Sequence, residues 1–314
     1  MMPRIAIVVV MLFVSLTVAV PDAGATPGPR CFGRSATIVG SGPIVGTPGD
    51  DVIVGSIGDD RIEGFAGDDR ICGLDGIDVV IAGLGNDLID VGRGDDSAFG
   101  DELSATTDLL SNGGDDLILG GDGNDRLVGD HNTSFGSGKS VFGNGGNDAI
   151  FAGSGDDGVF ADHRAAGGEV RGRGGNDFVD GGPGNDGLGA DSLGATLASD
   201  DGGNDIVMAG DGDDFLTGDS GIFDLGAITG DGGNDLLVAG AGNDVLLGDN
   251  SPVEGAPTGH AGNDILLAGA GNDDLVGDSR DDNTLTPSGD GNDACHGNTG
   301  IDTAAVCEIV TGVP

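Results

Sequence analysis

The sequence predicts an all-β fold: a parallel β-roll, or β-solenoid, of stacked short turns with long loop inserts on one edge. Three observations carry the prediction. A nonapeptide unit recurs with an aspartate as its anchor, at Asp51, Asp60, Asp69, Asp78, Asp87 and Asp96, and then in the pairs Asp116/Asp125, Asp148/Asp157, Asp177/Asp186, Asp205/Asp214, Asp235/Asp244, Asp264/Asp273 and Asp293/Asp302. A glycine stands two positions before each of these twenty anchors, from Gly49 to Gly300. An apolar residue stands two positions after each, from Ile53, Ile62, Ile71 and Val80 to Leu275, Cys295 and Ala304.

Each feature has a physical reading. The glycine permits φ > 0 and close approach to a neighbouring turn. The aspartate is a hard oxygen donor, and the exposed carbonyls of a glycine-rich turn supply more. Such donors suit Ca²⁺, which takes roughly 6–8 oxygens. The apolar residue follows on a short strand and points inward. One unit cannot bury that residue alone, whereas stacked units can. A disordered Gly/Asp-rich tract would not keep an apolar residue in phase with every anchor.

The unit resembles the Gly-Gly-x-Gly-x-Asp-x-U-x nonapeptide of the RTX (haemolysin-type) calcium-binding repeat family over roughly residues 46–305. The resemblance implies a β-roll in which each nonapeptide is a half-turn and Ca²⁺ lies between successive turns on each edge. It further implies that the twenty anchoring aspartates are side-chain ligands. The chain departs from the family pattern at incomplete Gly-Gly pairs, such as Thr47 and Phe65, and in the long inserts of its later repeats.

Composition agrees. The chain has 314 residues, 67 of them Gly, neither Trp nor Tyr, and a net charge of −42. That charge excludes nucleic acid as a partner. Ten turns on each edge leave nine gaps per edge, hence at most about eighteen inter-turn sites. Filled, these would bring +36 against −42, a balance of the right size.

Along the chain, residues 1–25 read as a signal peptide: Arg4, an apolar run over 5–20, and Ala23-Gly24-Ala25 with cleavage after Ala25. The mature protein is therefore expected outside the cell, secreted and without a membrane span. Its four cysteines can then oxidise. Three pairings are possible. Cys31–Cys72 with Cys295–Cys307 is favoured, because each bridge would staple a terminal cap. Residues 26–45 read as the N-terminal cap, 46–100 as a regular roll, 101–305 as a roll with inserts, and 306–314 as the C-terminal cap or tail.

From Asp101 the pairs recur every 28–32 residues. Each insert opens with an aspartate five residues after the second anchor: Asp101, Asp130, Asp162, Asp191, Asp219, Asp249 and Asp278. By parity all inserts leave from one edge and are expected to stack into a lateral ledge. The alternative is a wider coil with an extra strand, suggested by apolar pairs such as Leu109-Leu110 and Val141-Phe142. Strands after the first anchor are apolar on both sides (Leu117/Leu119, Ile206/Met208, Leu236/Val238, Ile265/Leu267), so one outer face is expected to be covered, most simply by the inserts.

No catalytic constellation stands out. His131, His163, His260 and His296 fall in no nucleophile or zinc motif, and paired carboxylates are too frequent to single out. The expectation is a secreted, non-enzymatic calcium-binding protein that folds on Ca²⁺ binding. A cell-surface adhesin or scaffold with a surface or matrix partner is the first alternative, and a carbohydrate-active solenoid enzyme the second.

Overall fold

The protein is described by a computed structural model covering residues 28–313, apart from 105, 134–138, 166–168, 192, 195–196, 199–200, 220, 223–226, 229–231, 250–261, 278–291, 306 and 308. The signal segment, His260 and Asp278 lie outside the described residues.

Two long parallel sheets of 12 and 11 strands face each other. They alternate along the chain, so each coil gives one strand to each sheet. Registry is set by the residue two after the anchor. Ile53, Ile71, Ile89, Ile118, Ile150, Val179, Val207, Leu237, Leu266 and Cys295 lie in register in the first sheet. Ile62, Val80, Ala98, Leu127, Val159, Leu188, Leu216, Leu246 and Leu275 do the same in the second. These side chains are all buried and form one continuous core. Each such Ile or Leu contributes roughly 1.5–3 kcal/mol on burial. The second inward position of these strands takes a small buried residue, as in Ala82, Ala152, Ala209 and Ala239.

Among the described residues the inserts do not form a ledge of loops. They continue the coil as two further parallel sheets, of five and four strands. After Arg126–Val128 the chain turns at Gly129-Asp130, runs through Asn132–Thr133 and Val141–Phe142, and returns to the first sheet at Ala149–Ser154. Asn132–Thr133 pairs with Arg164–Ala165, and Val141–Phe142 with Glu169–Arg171, each strand lying on its counterpart one coil later. The wider-coil alternative is therefore the observed one, with two added strands per coil rather than one. Leu109, Val141, Ala165 and Val170 make a separate small core inside this extension.

Among the described residues the inserts prolong the coil and do not fold back over the first sheet. Ile206, Met208 and Ile265 on its outer face are 40–44% exposed, so the expected cover by the inserts is absent there. Strand pairing explains this: each insert strand satisfies its backbone groups on the insert strands above and below, and so stays in line with the coil.

At the N-terminus Arg30–Cys31 and Arg34–Ser35 form an antiparallel hairpin. Ile38–Val39 and Pro43–Val45 already belong to the two main sheets. The bridges Cys31–Cys72 and Cys295–Cys307 are both formed, as expected from their places at the ends of the roll. At the C-terminus Ile309–Thr311 adds the last strand, beside Ala294–His296.

Candidate metal centre

All twenty anchoring aspartates are buried, none more than 6% exposed. The corners between strands place them in two columns. One column runs Asp51, Asp69, Asp87, Asp116 and onward to Asp293. The other runs Asp60, Asp78, Asp96, Asp125 and onward to Asp302. Within each column the backbone N–H of one anchor donates to Oδ1 of the anchor one coil later, at 2.7–3.2 Å. There is one such bond for every gap between coils, nine on each edge.

The second carboxylate oxygen is the chemically open one. In every anchor from Asp69 to Asp244, Oδ2 is buried and has no hydrogen-bond donor among the described residues. The first coil differs. Oδ2 of Asp51 accepts from Thr47 N at 2.7 Å and Thr47 Oγ1 at 2.9 Å, and Oδ2 of Asp60 accepts from Ser56 N at 2.6 Å and Ser56 Oγ at 3.0 Å. The non-glycine residues that make the early repeats irregular thus satisfy the aspartates of that coil.

A buried anionic oxygen without a donor is costly. It shows in the acidities. Burial pushes Asp78, Asp96 and Asp125 up to about 6 and Asp87 up to about 8, against the opposing hydrogen bond from the preceding anchor's N–H. Asp116, Asp148, Asp177 and Asp235 lie well above the usual carboxylate range, through burial first and then through neighbouring carboxylates. The missing ingredient is positive charge. A hard dication fits the donors: one open carboxylate oxygen per anchor from Asp69 to Asp244, beside the stacked carbonyls of glycine turns.

The anchor glycines explain that stacking, in two different ways. On the edge of short turns, Gly76, Gly94, Gly123 and Gly155 have φ of 132–141°, where a side chain is strained. On the insert edge, Gly114, Gly146 and Gly175 are not in that conformation. There a Cβ would lie only 1.4–1.7 Å from the carbonyl oxygen of the matching glycine one coil earlier. Positive φ is thus required where the turn is short, as it also is at Gly67 and Gly85 before the inserts begin, and close approach alone fixes glycine where an insert leads into the anchor.

Two features escaped sequence reasoning. The residue before many anchors forms an exposed ladder: Asn176, Asn204, Asn234 and Asn263 each donate Nδ2–H to the asparagine Oδ1 one coil earlier, at 2.7–3.2 Å. The Asn-Asp dipeptides were the available signal. The insert aspartates Asp101, Asp130, Asp162, Asp191, Asp219 and Asp249 are themselves buried and form a third column. His131 and His163 are buried beside it and stacked with ring centroids 5.2 Å apart, whereas His296 lies at the C-terminal end, hydrogen-bonded to Thr311 Oγ1.

Stacked parallel coils with aligned, buried, half-satisfied carboxylates define a calcium-binding β-roll. The family comparison agrees: the RTX calcium-binding nonapeptide repeat matches at residues 45–80, 73–102, 108–130, 140–162, 169–193, 194–222, 227–251 and 258–283. These matches span more than half of the chain, which belongs to that family and binds Ca²⁺ through its repeats. A comparison with curated proteins finds no match.

Proposed function

We propose that the protein is exported, folds where it meets millimolar extracellular Ca²⁺, and serves without catalysis as a rigid calcium-loaded scaffold. The observation that supports this best is the row of buried anchor oxygens without donors, repeated coil after coil. A chain of net charge −42 with so many buried carboxylates resists compaction until cations enter, so binding and folding become one event. The two disulfides and the signal-like segment at residues 1–25 fit an oxidising destination. Among the described residues no helix is long and apolar enough to cross a membrane.

The test is a Ca²⁺ titration of chelated protein lacking residues 1–25, followed by far-UV circular dichroism with Mg²⁺ as control. A cooperative coil-to-β transition with Ca²⁺ alone is expected. A β spectrum already complete in chelator and indifferent to Ca²⁺ would overturn the reading.

A second reading, a surface adhesin, is favoured by the outer face of the first sheet, where Ile206, Met208 and Ile265 remain exposed. Charged substitutions at these three positions are expected to abolish Ca²⁺-dependent attachment to cells or matrix while leaving the folding transition intact. Attachment unchanged in that variant would dismiss this face.

A further inference from the structure

The insert aspartates raise a question that the repeat does not answer. Asp130, Asp162 and Asp191 stand five residues after the second anchor, outside the anchor position of the nonapeptide, yet they are as buried as the anchors. The wider coil brings them against the anchors of the insert edge. Ligand-capable oxygens of Asp130, Asp148 and Asp162 lie within 4.8 Å of one another, and so do those of Asp162, Asp177 and Asp191.

Each of the five carboxylates uses one oxygen structurally. Oδ2 of Asp130, Asp162 and Asp191 accepts the N–H of Gly146, Gly175 and Gly203, each at 3.0 Å. Oδ1 of Asp148 and Asp177 accepts the N–H of the anchor one coil earlier, at 2.7 and 2.8 Å. The other oxygen of each is buried and without a donor among the described residues: Oδ1 of the insert aspartates and Oδ2 of the anchors. Glycine makes room for this. A Cβ at Gly145 would fall 1.7 Å from Asp162 Oδ1 and 2.7 Å from Asp130 Oδ2, and a Cβ at Gly174 would fall 1.7 Å from Asp191 Oδ1.

An independent observation comes from the histidines. His163 Nε2 lies 3.1 Å from the carbonyl oxygen of Gly143, which can only accept, so Nε2 carries the proton. Nδ1 is buried, has no hydrogen-bond partner, and faces Asp130 Oδ2 at 3.6 Å. One coil earlier His131 repeats the arrangement: Nε2 is 3.0 Å from the Ser111 carbonyl oxygen, and an unpartnered Nδ1 is 3.7 Å from Asp101 Oδ2. Acceptors face acceptors along the column, and only a cation or protons reconcile them.

We propose that the inserts build a third column of calcium sites inside the widened coil, with one ion among Asp130, Asp148 and Asp162 and a second among Asp162, Asp177 and Asp191. This rests on the reading of the roll as calcium-loaded and adds ligands that the nonapeptide does not contain. Two dications set against five carboxylates nearly neutralise a region shielded from water. They would tie each insert to the coil above and below, so the four-sided shape depends on calcium from within as well as at its corners. All-oxygen carboxylate clusters of this kind select a hard cation.

Asp162 is shared by both clusters, so Asp162→Asn tests both at once. Asparagine keeps the shape and an acceptor for Gly175 N–H. Bound calcium would be counted by equilibrium dialysis of the whole protein at saturating Ca²⁺, with far-UV circular dichroism confirming the β spectrum. Two fewer ions per chain than in the parent are expected, one for each cluster. A folded variant that binds as many ions as the parent would overturn the column alone and leave shared protons as the remaining reconciliation. A parent that takes up no calcium would overturn the edge reading as well. If Asp162→Asn does not fold even in saturating calcium, luminescence lifetimes of Eu³⁺ bound to the parent decide. A class of Eu³⁺ with fewer coordinated waters than the rest supports the interior column, and a single uniformly hydrated class overturns it.

Discussion

The two edges of the roll carry the same anchor, glycine and apolar residue, and they hold their aspartates at different depths. On the edge of short turns Asp125 has its carboxyl pushed up to about 6 by burial. One half-coil later in the chain, on the insert edge, Asp148 is driven well above the usual range by burial and then by the neighbouring Asp116 and Asp177. The motif is identical, so the difference comes from what lies behind it. Both carboxylates are buried, but the insert lays another pair of strands and another aspartate over its corner. Asp69, in the regular part of the roll, is pushed up only to about 6, whereas Asp87, which has Asp101 among its neighbours, reaches about 8. The insert therefore sets a buried site deeper and beside a further carboxylate, where the cost of being without a cation is greater.

The largest expected effect is on pH in the absence of calcium. These carboxyls have folded-state pKa values raised from 3.8 to about 6 on the short edge and about 8 at Asp87. Between the unfolded and folded values the folded state binds more protons, so stability is fully present below about pH 4 and is lost as pH rises through about 6 and then 8. Each raised unit is worth about 1.4 kcal/mol per group. Chelated protein should therefore gain β structure between pH 7.5 and 5, seen by circular dichroism, and exchange of amides on the insert edge should slow first. With calcium present the dependence should reverse, because acid competes with the metal for carboxylate. Equal titration of both edges would break the comparison.

The glycines sharpen it next. Gly155→Ala adds a side chain at φ 132° and puts a Cβ 2.0 Å from Gly123 O. Gly146→Ala leaves φ unstrained but puts a Cβ 1.5 Å from Gly114 O. Each should cost about 2–4 kcal/mol and raise the calcium midpoint in the same titration. Tolerance of either alanine would mean that the coils do not stack this closely.

Single carboxylate neutralisation separates the edges directly. In chelator at pH 7.5, Asp148→Asn should stabilise the fold on the order of 1–3 kcal/mol by removing an unfavourable buried charge, and Asp125→Asn should do less. In saturating calcium both should weaken the protein. Urea melts with and without chelator read both signs, and an equal gain at the two positions would argue against the difference in depth.

The smallest effect concerns the irregular first coils. Phe65 and Leu74 adopt φ of 88° and 94°, at positions in register with Gly83 and Gly92 one coil later. Phe65 is half exposed, so Phe65→Gly relieves left-handed strain at little loss of packing. A gain of about 1 kcal/mol in a urea melt is expected. A loss would show that the ring, not the backbone, governs this corner.

The period of nine and the inward residue two after each anchor were both legible in the sequence, because each follows from local chain geometry repeated in phase. The pairings Cys31–Cys72 and Cys295–Cys307 were legible from the places of the cysteines, since each bridge staples one end of the roll. The path of the inserts was only half legible. Pairs such as Val141-Phe142 signalled strands, but Asn132–Thr133 has no strand pattern and becomes one only because Leu103–Ser104 and Arg164–Ala165 lie on either side to pair with it. The exposed outer face was misread because strands apolar on both sides usually lie between two layers, and here nothing among the described residues folds back over Ile206 and Met208.

The sequence by itself determined the repeat, the two columns of anchors and the demand for hard cations, since a charge of −42 in phase with glycine and apolar residues admits few other structures. Only the tertiary structure decided which oxygen of each aspartate is engaged by the ladder and which is left open. It alone brought Asp130 and Asp162, spaced 32 residues apart, together with Asp148, and set the unpartnered Nδ1 of His163 against Asp130. The physical reason is that spacing along the chain fixes what repeats, whereas the meeting of carboxylates depends on how far each insert carries the chain before it returns to the stack.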